Sequence, residues 1–213
     1  MSRLIIFDLD GTLVDSKPDL VKSVNHVRSE FGFPSLGEDE ITGMIGDGAE
    51  MLVRRALGAA ASEDSVRRGL EEFLTYYSEH MLDASRLYPG VRETLARLGD
   101  CRLAVLTNKP WRFSCRMLEG LGIYEWFAAV YGGNSFSEKK PDPIGVHRIL
   151  ADTGASAEGT WMVGDSSVDV LTGRNAGVRT CGVTYGYAAH TFGDHPPDVR
   201  IDRFEQLVGT VTG

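Results

Sequence analysis

The chain has 213 residues, of which 42% are hydrophobic and 24% are charged, a composition typical of a globular protein with a substantial core. Its formal net charge of −8 argues against binding of nucleic acid or of a membrane surface by bulk electrostatics. An anion site would therefore have to be built locally, from a metal ion, a lysine or backbone amides.

Cysteine usage and the lack of long apolar runs indicate a cytoplasmic protein. The cysteines, Cys101, Cys115 and Cys181, are widely spaced and match no metal-binding or redox pattern, so we expect reduced packing residues. The apolar run at residues 4–7 is too short for a secretory signal peptide and meets acidic residues at once. No run approaches the roughly 20 apolar residues that a membrane-spanning helix requires.

Apolar stretches rich in β-branched residues recur along the chain, and each ends in polar residues, which is typical of strands buried on both faces. They are residues 3–7, 102–106, 128–131, 160–163, 179–184 and, more weakly, 198–201. Helical spacing of apolar residues separates them, beginning near Val91, Phe113, Val146 and Val168. This alternation predicts an α/β fold: a doubly wound, mostly parallel sheet with a Rossmann-like core.

One segment, residues 16–82, interrupts the alternation because it contains no convincing strand. Residues 20–31, 51–56 and 66–81 repeat apolar side chains at helical spacing, and Ser62 is a candidate N-cap for the last of these helices. The sequence therefore predicts a helical cap, residues 16–82, inserted after the first strand of a catalytic core formed by residues 1–15 and 83–213.

Polar residues that could perform chemistry follow four of the predicted strands. In strand order they are Asp8 and Asp10, then Thr107 and Asn108, then Lys140, and finally Asp165. Ligands of parallel α/β sheets bind beyond the carboxyl ends of the strands, so we expect these residues to share one crevice.

Asp8 and Asp10 lie one residue apart, and two such carboxylates repel each other and are costly to bury. A Mg²⁺ ion shared by Asp8 and Asp165 would offset this cost, because Mg²⁺ prefers oxygen ligands, and would make Asp8 a viable nucleophile against phosphorus. Asp10 could ligate the metal through its backbone carbonyl and use its side chain for proton transfer. Thr107, Asn108 and Lys140 would bind the oxygens of the transferring phosphoryl group.

These residues resemble the motifs of the haloacid dehalogenase-like hydrolase superfamily, which are Asp-x-Asp-x-Thr, a strand-end Thr or Ser, a Lys, and Gly-Asp with a further acid. The pattern stands here as Asp8/Asp10/Thr12, Thr107, Lys140, and Gly164-Asp165 with Asp169. The resemblance covers nearly the whole chain. It implies that Asp8 is the nucleophile, that Asp10 is the general acid/base, and that Mg²⁺ binds Asp8, the Asp10 carbonyl and Asp165.

Within that superfamily, stretches such as "YPGVRETLARL", "LAVLTNKP" and "MVGDSSVDV" resemble bacterial phosphoglycolate phosphatases. The resemblance implies a Mg²⁺-dependent phosphatase acting on a small phosphorylated metabolite, with 2-phosphoglycolate first. Similar stretches occur in relatives that act on pyrophosphate or other small phosphomonoesters. We expect a monomer or homodimer with no nucleic-acid or membrane partner.

Particular residues distinguish this reaction from its alternatives. A phosphomutase would keep Asp10 and differ only in its product, whereas a halide-releasing dehalogenase of the same fold lacks the second aspartate. A signalling receiver module also places acids, a threonine and a lysine around Mg²⁺. Receivers are shorter, however, and their accepting aspartate ends an internal strand, whereas Asp8 follows the first.

Structural roles compete with catalytic ones at the strand ends. Thr107 and Asn108 could simply cap the helix that follows them. Lys139 and Lys140 could be an exposed pair, and Lys140 is preferred because the resemblance places a proline directly after the functional lysine.

Asp169 could be the acid of a capping box opened by Ser166, with or without a further role behind the metal site. In the inserted segment, residues 44–48 are a candidate specificity loop. Arg54 and Arg55 are candidates for binding a carboxylate, although solvated helix positions are the commoner role for such residues.

Overall fold

A computed structural model of the protein describes residues 3–212, with the side chain of residue 212 excepted. The chain forms two compact units, Met1–Asp15 with Leu87–Gly213, and Ser16–Arg86. The first is called the α/β unit below and the second the helical unit.

A parallel six-stranded sheet forms the centre of the α/β unit. The strands in chain order are β1 (Leu4–Phe7), β2 (Val14–Asp15), β3 (Arg86–Leu87), β4 (Arg102–Leu106), β5 (Ala129–Tyr131), β6 (Thr160–Gly164), β7 (Arg179–Val183) and β8 (Val199–Ile201). The six-stranded sheet has the order β5-β4-β1-β6-β7-β8, and β2 and β3 form a separate two-stranded sheet. All pairs in the large sheet are parallel, which confirms the predicted doubly wound architecture.

Helices in the α/β unit follow the strands as the sequence pattern predicts. The helices of the chain are α1 (Lys17–Glu30), α2 (Glu38–Thr42), α3 (Ala49–Leu57), α4 (Glu63–His80), α5 (Val91–Arg97), α6 (Trp111–Gly120), α7 (Ile144–Thr153), α8 (Ser167–Asn175) and α9 (Leu207–Thr212). Of these, α5 to α9 belong to the α/β unit. The short elements β2, β3, α2 and α9 were not predicted, because segments of two to six residues hold too little periodicity to recognise.

Strand β1 is buried on both faces, and this explains its continuous apolar run. Leu4 and Ile6 pack in a cluster with Val146 and Ile149 of α7, whereas the ring of Phe7 lies 5.8 Å from that of Phe204. A strand buried on both faces cannot alternate apolar and polar residues, so it reads as one apolar block ending where the sheet ends.

The helical unit contains α1 to α4, of which the apolar spacing predicts α1, α3 and α4. The Ser62 side chain accepts a hydrogen bond from the backbone N–H of Ser65, which confirms the predicted N-cap of α4. The buried carboxylate of Asp19 in α1 accepts hydrogen bonds from the backbone N–H groups of Ala84 and Ser85 and from the Ser85 hydroxyl. These bonds connect α1 to the segment that follows α4. Within residues 3–212, no helix has the length and apolarity needed to cross a bilayer.

Candidate active site at the carboxyl edge of the sheet

Strand register brings the predicted site residues to one edge. Phe7 of β1 pairs with Val105 of β4 on one side and with Val163 of β6 on the other. The chain positions that follow these strands are therefore neighbours, and the Asp8 N–H continues the ladder by donating to the Val163 carbonyl at 2.9 Å. Asp8 follows β1 directly and Asp165 follows β6, so both stand at the same end of the parallel sheet.

Three carboxylates meet at this edge. Asp8, Asp165 and Asp169 each offer an oxygen that lies within 4.8 Å of the others, and Asp165 and Asp169 are only 4% and 2% exposed. Burial raises the pKa of Asp8 to about 6, with the charge of Asp169 adding to the rise and that of Lys140 opposing it. Burial, followed by the charges of Asp169 and Asp8, raises the pKa of Asp165 to about 8. This oxygen-only donor set with excess negative charge fits a hard divalent cation such as Mg²⁺.

A glycine loop after β7 orients Asp165. The backbone N–H groups of Tyr187 and Ala188 donate to Asp165 Oδ2 at 2.6 and 3.2 Å. A Cβ atom at Gly186 would lie 2.3 Å from Asp165 Cβ and 2.4 Å from the carbonyl oxygen of Gly11, so only glycine fits there. Sequence reasoning did not assign this loop to the site. Its one signal is the glycine of Tyr185-Gly186-Tyr187, just past a strand end.

Lys140 contacts two of the three carboxylates. Its Nζ lies 3.0 Å from Asp8 Oδ1 and donates to Asp169 Oδ1 at 2.6 Å, and its side chain is 3% exposed. Burial alone would lower the pKa of Lys140, but Asp169 and Asp8 raise it above the ordinary value, so the ammonium stays charged. Lys139, by contrast, is exposed.

Asn108 holds the backbone of Lys140. Its Oδ1 accepts from the Lys140 N–H at 3.0 Å, and its Nδ2 donates to the Lys140 carbonyl at 3.2 Å. This contact gives the Asn108 side chain a positioning role that sequence reasoning did not foresee. Thr107 is buried beside it, and its Oγ1 accepts from the Lys109 N–H at 3.3 Å.

Asp169 closes the predicted capping box and also binds Lys140, whereas its role behind the metal site stays a prediction. Its Oδ2 accepts from the Ser166 N–H at 3.1 Å and from the Ser166 hydroxyl at 2.7 Å, at the start of α8, while Oδ1 accepts from Lys140. One carboxylate thus caps a helix and fixes the lysine beside Asp8. The Asp169 carboxylate can occupy this position only because residue 164 is a glycine, since a Cβ at Gly164 would lie 2.1 Å from Asp169 Cγ.

Asp10 faces a lysine that sequence reasoning missed. Lys109 Nζ lies 3.2 Å from Asp10 Oδ1 and 3.1 Å from Oδ2, and the two side chains are 4% and 13% exposed. Nothing in the spacing of Thr-Asn-Lys-Pro shows which polar residue points inward, so Lys109 could not be singled out. Thr12 follows Asp10 closely, and its buried hydroxyl has no hydrogen-bond partner among residues 3–212.

The two arginines of the helical unit are paired within that unit. Arg54 binds Glu63 and Glu50, and Arg55 binds Asp47 and donates to the Met44 carbonyl at 2.9 Å. Their suggested carboxylate-binding role stays a prediction.

The fold and the acid-rich sheet edge define a class of protein, and the chain belongs to the haloacid dehalogenase-like hydrolase family, whose model matches residues 5–183. The phosphoglycolate phosphatase of Vibrio parahaemolyticus is 37% identical to it over 218 residues, which cover 98% of this chain and 96% of that protein. The phosphoglycolate phosphatase of Agrobacterium fabrum is 39% identical, with 97% and 91% covered. A crystal structure of a predicted phosphoglycolate phosphatase from Haemophilus somnus 129PT has a TM-score of 0.93 and 35% identity, and covers 98% and 97%. These comparisons confirm the family resemblance.

Proposed function

We propose that the protein is a Mg²⁺-dependent phosphatase that hydrolyses a small phosphomonoester, with 2-phosphoglycolate as the first candidate. The observation that carries this proposal is the contact of the partly buried Asp8 with the buried residues Asp165, Asp169 and Lys140 at the end of strand β1. The names of the relatives support the choice of substrate.

Asp8, Asp165 and the backbone carbonyl of Asp10 would hold the Mg²⁺ ion, which when bound neutralises carboxylate and phosphate charge. Asp169, whose carboxylate belongs to the same group, binds the ammonium of Lys140. Lys140, 3.0 Å from Asp8, and Thr107 would bind the phosphoryl oxygens and hold them for in-line attack. The ammonium of Lys140 opposes the rise in the pKa of Asp8 that burial causes, and so favours the ionised carboxylate that can attack.

The proposed reaction has two steps, and Asp10 transfers one proton in each. An Asp8 oxygen bonds to phosphorus while the ester bond breaks, and Asp10 gives a proton to the leaving alkoxide. Asp10 then takes a proton from water as the water oxygen attacks the phosphorus of the aspartyl-phosphate, and this releases inorganic phosphate and restores Asp8.

We also propose that the helical unit serves as the cap that selects the substrate and limits water during the reaction. By the same proposal the partner is a small phosphorylated metabolite, the protein acts in the cytoplasm as a monomer or homodimer, and it uses neither nucleic acid nor membrane.

Phosphate release from a panel of small phosphate esters with Mg²⁺ tests the proposal. Asp8→Asn should lower kcat by at least about 10⁴-fold, as expected for loss of a nucleophile. The matched control is Asp100→Asn, an exposed aspartate that precedes β4 at the opposite edge of the sheet, and it should keep wild-type activity. Equal rates for wild type and Asp8→Asn, or no release from any ester by the wild type, would contradict the proposal.

A further inference from the structure

Two buried cations stand out in the described part of the chain. Among the lysines and arginines of residues 3–212, only Lys109 and Lys140 are buried. Removing an ammonium group from water is costly, so a buried lysine calls for a reason beyond stability. Contacts with Asp8 and Asp169 supply that reason for Lys140, whereas the proposed reaction assigns no role to Lys109.

The position of Lys109 follows from its partner. Its Nζ lies 3.1 to 3.2 Å from both carboxylate oxygens of Asp10, the residue proposed to protonate the leaving oxygen. A hydrogen bond from Asp10 to that oxygen spans about 2.7 Å, so the ammonium lies no more than about 6 Å from the leaving oxygen. Lys109 is therefore a cation on the leaving-group side of phosphorus, whereas Lys140 contacts the nucleophile.

The ammonium of Lys109 would attract a negatively charged group on the leaving alcohol. In 2-phosphoglycolate, a single methylene separates the carboxylate from the ester oxygen, so rotation about the O–CH2 bond can bring the carboxylate toward the ammonium. The positive charge of the ammonium attracts a carboxylate on the leaving group whether or not Asp10 remains bound to it. Arg54 and Arg55, the other candidates for this role, are paired with acids of the helical unit.

We propose that Lys109 is a specificity-determining residue that binds a carboxylate on the leaving group and so selects small phosphomonoesters of 2-hydroxy acids. This inference rests on the proposed phosphatase function. It adds to the selection proposed for the helical unit a contribution of the α/β unit, namely recognition of the leaving group's charge by a residue that contacts the general acid/base Asp10.

A substrate-by-variant comparison tests the inference. Two esters are used, 2-phosphoglycolate and 2-hydroxyethyl phosphate, which replaces the carboxylate by a neutral alcohol. The wild type should prefer 2-phosphoglycolate in kcat/KM by at least about 10-fold, and Lys109→Met should erase most of that preference, chiefly by raising KM for 2-phosphoglycolate about 10- to 100-fold. Lys109→Arg should restore part of the preference because it keeps the charge.

The controls separate the possible failures. Lys139→Met removes an exposed lysine of the neighbouring loop and should leave both substrates unchanged. An equal loss of kcat on both esters in Lys109→Met would mean that Lys109 only positions Asp10, and a larger loss of preference in Arg55→Met would move the role to the helical unit. Either result overturns the inference while the phosphatase function stands. If Lys109→Met does not fold, a wild type without preference between the esters still overturns it. A wild type that is inactive on every ester removes the function itself.

Discussion

The two units of the molecule use charge in opposite ways. In the helical unit the pairs Lys22–Asp83, Arg54–Glu63 and Arg67–Asp64 lie at the surface, where both side chains are well hydrated. At the sheet edge of the α/β unit, Lys140 and Asp169 are almost completely buried. Exposed pairs contribute little to stability, and buried pairs carry a large desolvation cost that pairing offsets only in part. Charges buried at such cost and grouped at strand ends are better explained by chemistry than by stability.

The helical unit also contains a buried acid, but its surroundings differ from those of the acids at the sheet edge. Asp19 is as buried as Asp169, yet its carboxylate faces two backbone N–H groups and a hydroxyl, all of which are neutral donors. Such a carboxylate is satisfied by its surroundings and joins two chain segments. Asp8, Asp165 and Asp169 instead face one another, and the single ammonium of Lys140 offsets only part of their repulsion, which leaves negative charge for a divalent cation to neutralise.

The largest difference between the two units should appear in kcat when one lysine is removed from each. Lys140→Met deletes the ammonium between Asp8 and Asp169 and should lower kcat for phosphate release by about 10²- to 10³-fold, as expected for loss of a preorganised charge. Lys22→Met removes an exposed lysine and should leave kcat unchanged. Steady-state rates for the two variants measure this difference, and near-wild-type activity of Lys140→Met would contradict the role assigned to the buried pair.

The sheet edge was partly predictable from sequence for a specific reason. Strands buried on both faces read as apolar blocks, so their ends, and hence Asp8, Thr107 and Asp165, are visible without a structure. Lys109 was not predictable, because it shares a loop with two other polar residues and only the course of the chain turns it toward Asp10. The Tyr187 and Ala188 amides that hold Asp165 were also missed, since any residue carries a backbone N–H and no side-chain pattern reports it.

A second effect should appear in the pH dependence of stability. The pKa values of Asp8 and Asp165 are raised in the folded protein to about 6 and about 8, from an ordinary value of 3.8. The folded protein therefore keeps protons that the unfolded chain releases, so these groups lower the free energy of unfolding as pH rises from about 4 to about 8. Lys140 titrates above this range and does not contribute to the change.

Thermal melts in EDTA and in excess Mg²⁺ measure this effect. Without metal, Tm should be lower at pH 8 than at pH 5.5, and the gain in Tm on adding Mg²⁺ should be larger at pH 8, because the metal replaces protons. Asp165→Asn should reduce both differences, and Asp100→Asn, which alters an exposed aspartate, should reduce neither. A Mg²⁺ gain that is independent of pH, or that persists in Asp165→Asn, would argue against a metal site on this carboxylate.

The smallest effect is expected in the helical unit, where Arg67 pairs with both Asp64 and Glu71 on the exposed side of α4. Such pairs resemble a stabilising network, but water screens them, so Arg67→Ala should shift Tm by no more than about 2 °C. Ser62→Ala is the informative comparison within the same helix. The Ser62 hydroxyl satisfies the Ser65 N–H at the helix start, and its loss should cost about 1 kcal/mol and lower Tm more than Arg67→Ala does. If Arg67→Ala were the more damaging change, surface ion pairs would stabilise the helical unit, and its exposed charges would not differ from the buried charges of the α/β unit in being more than solvated side chains.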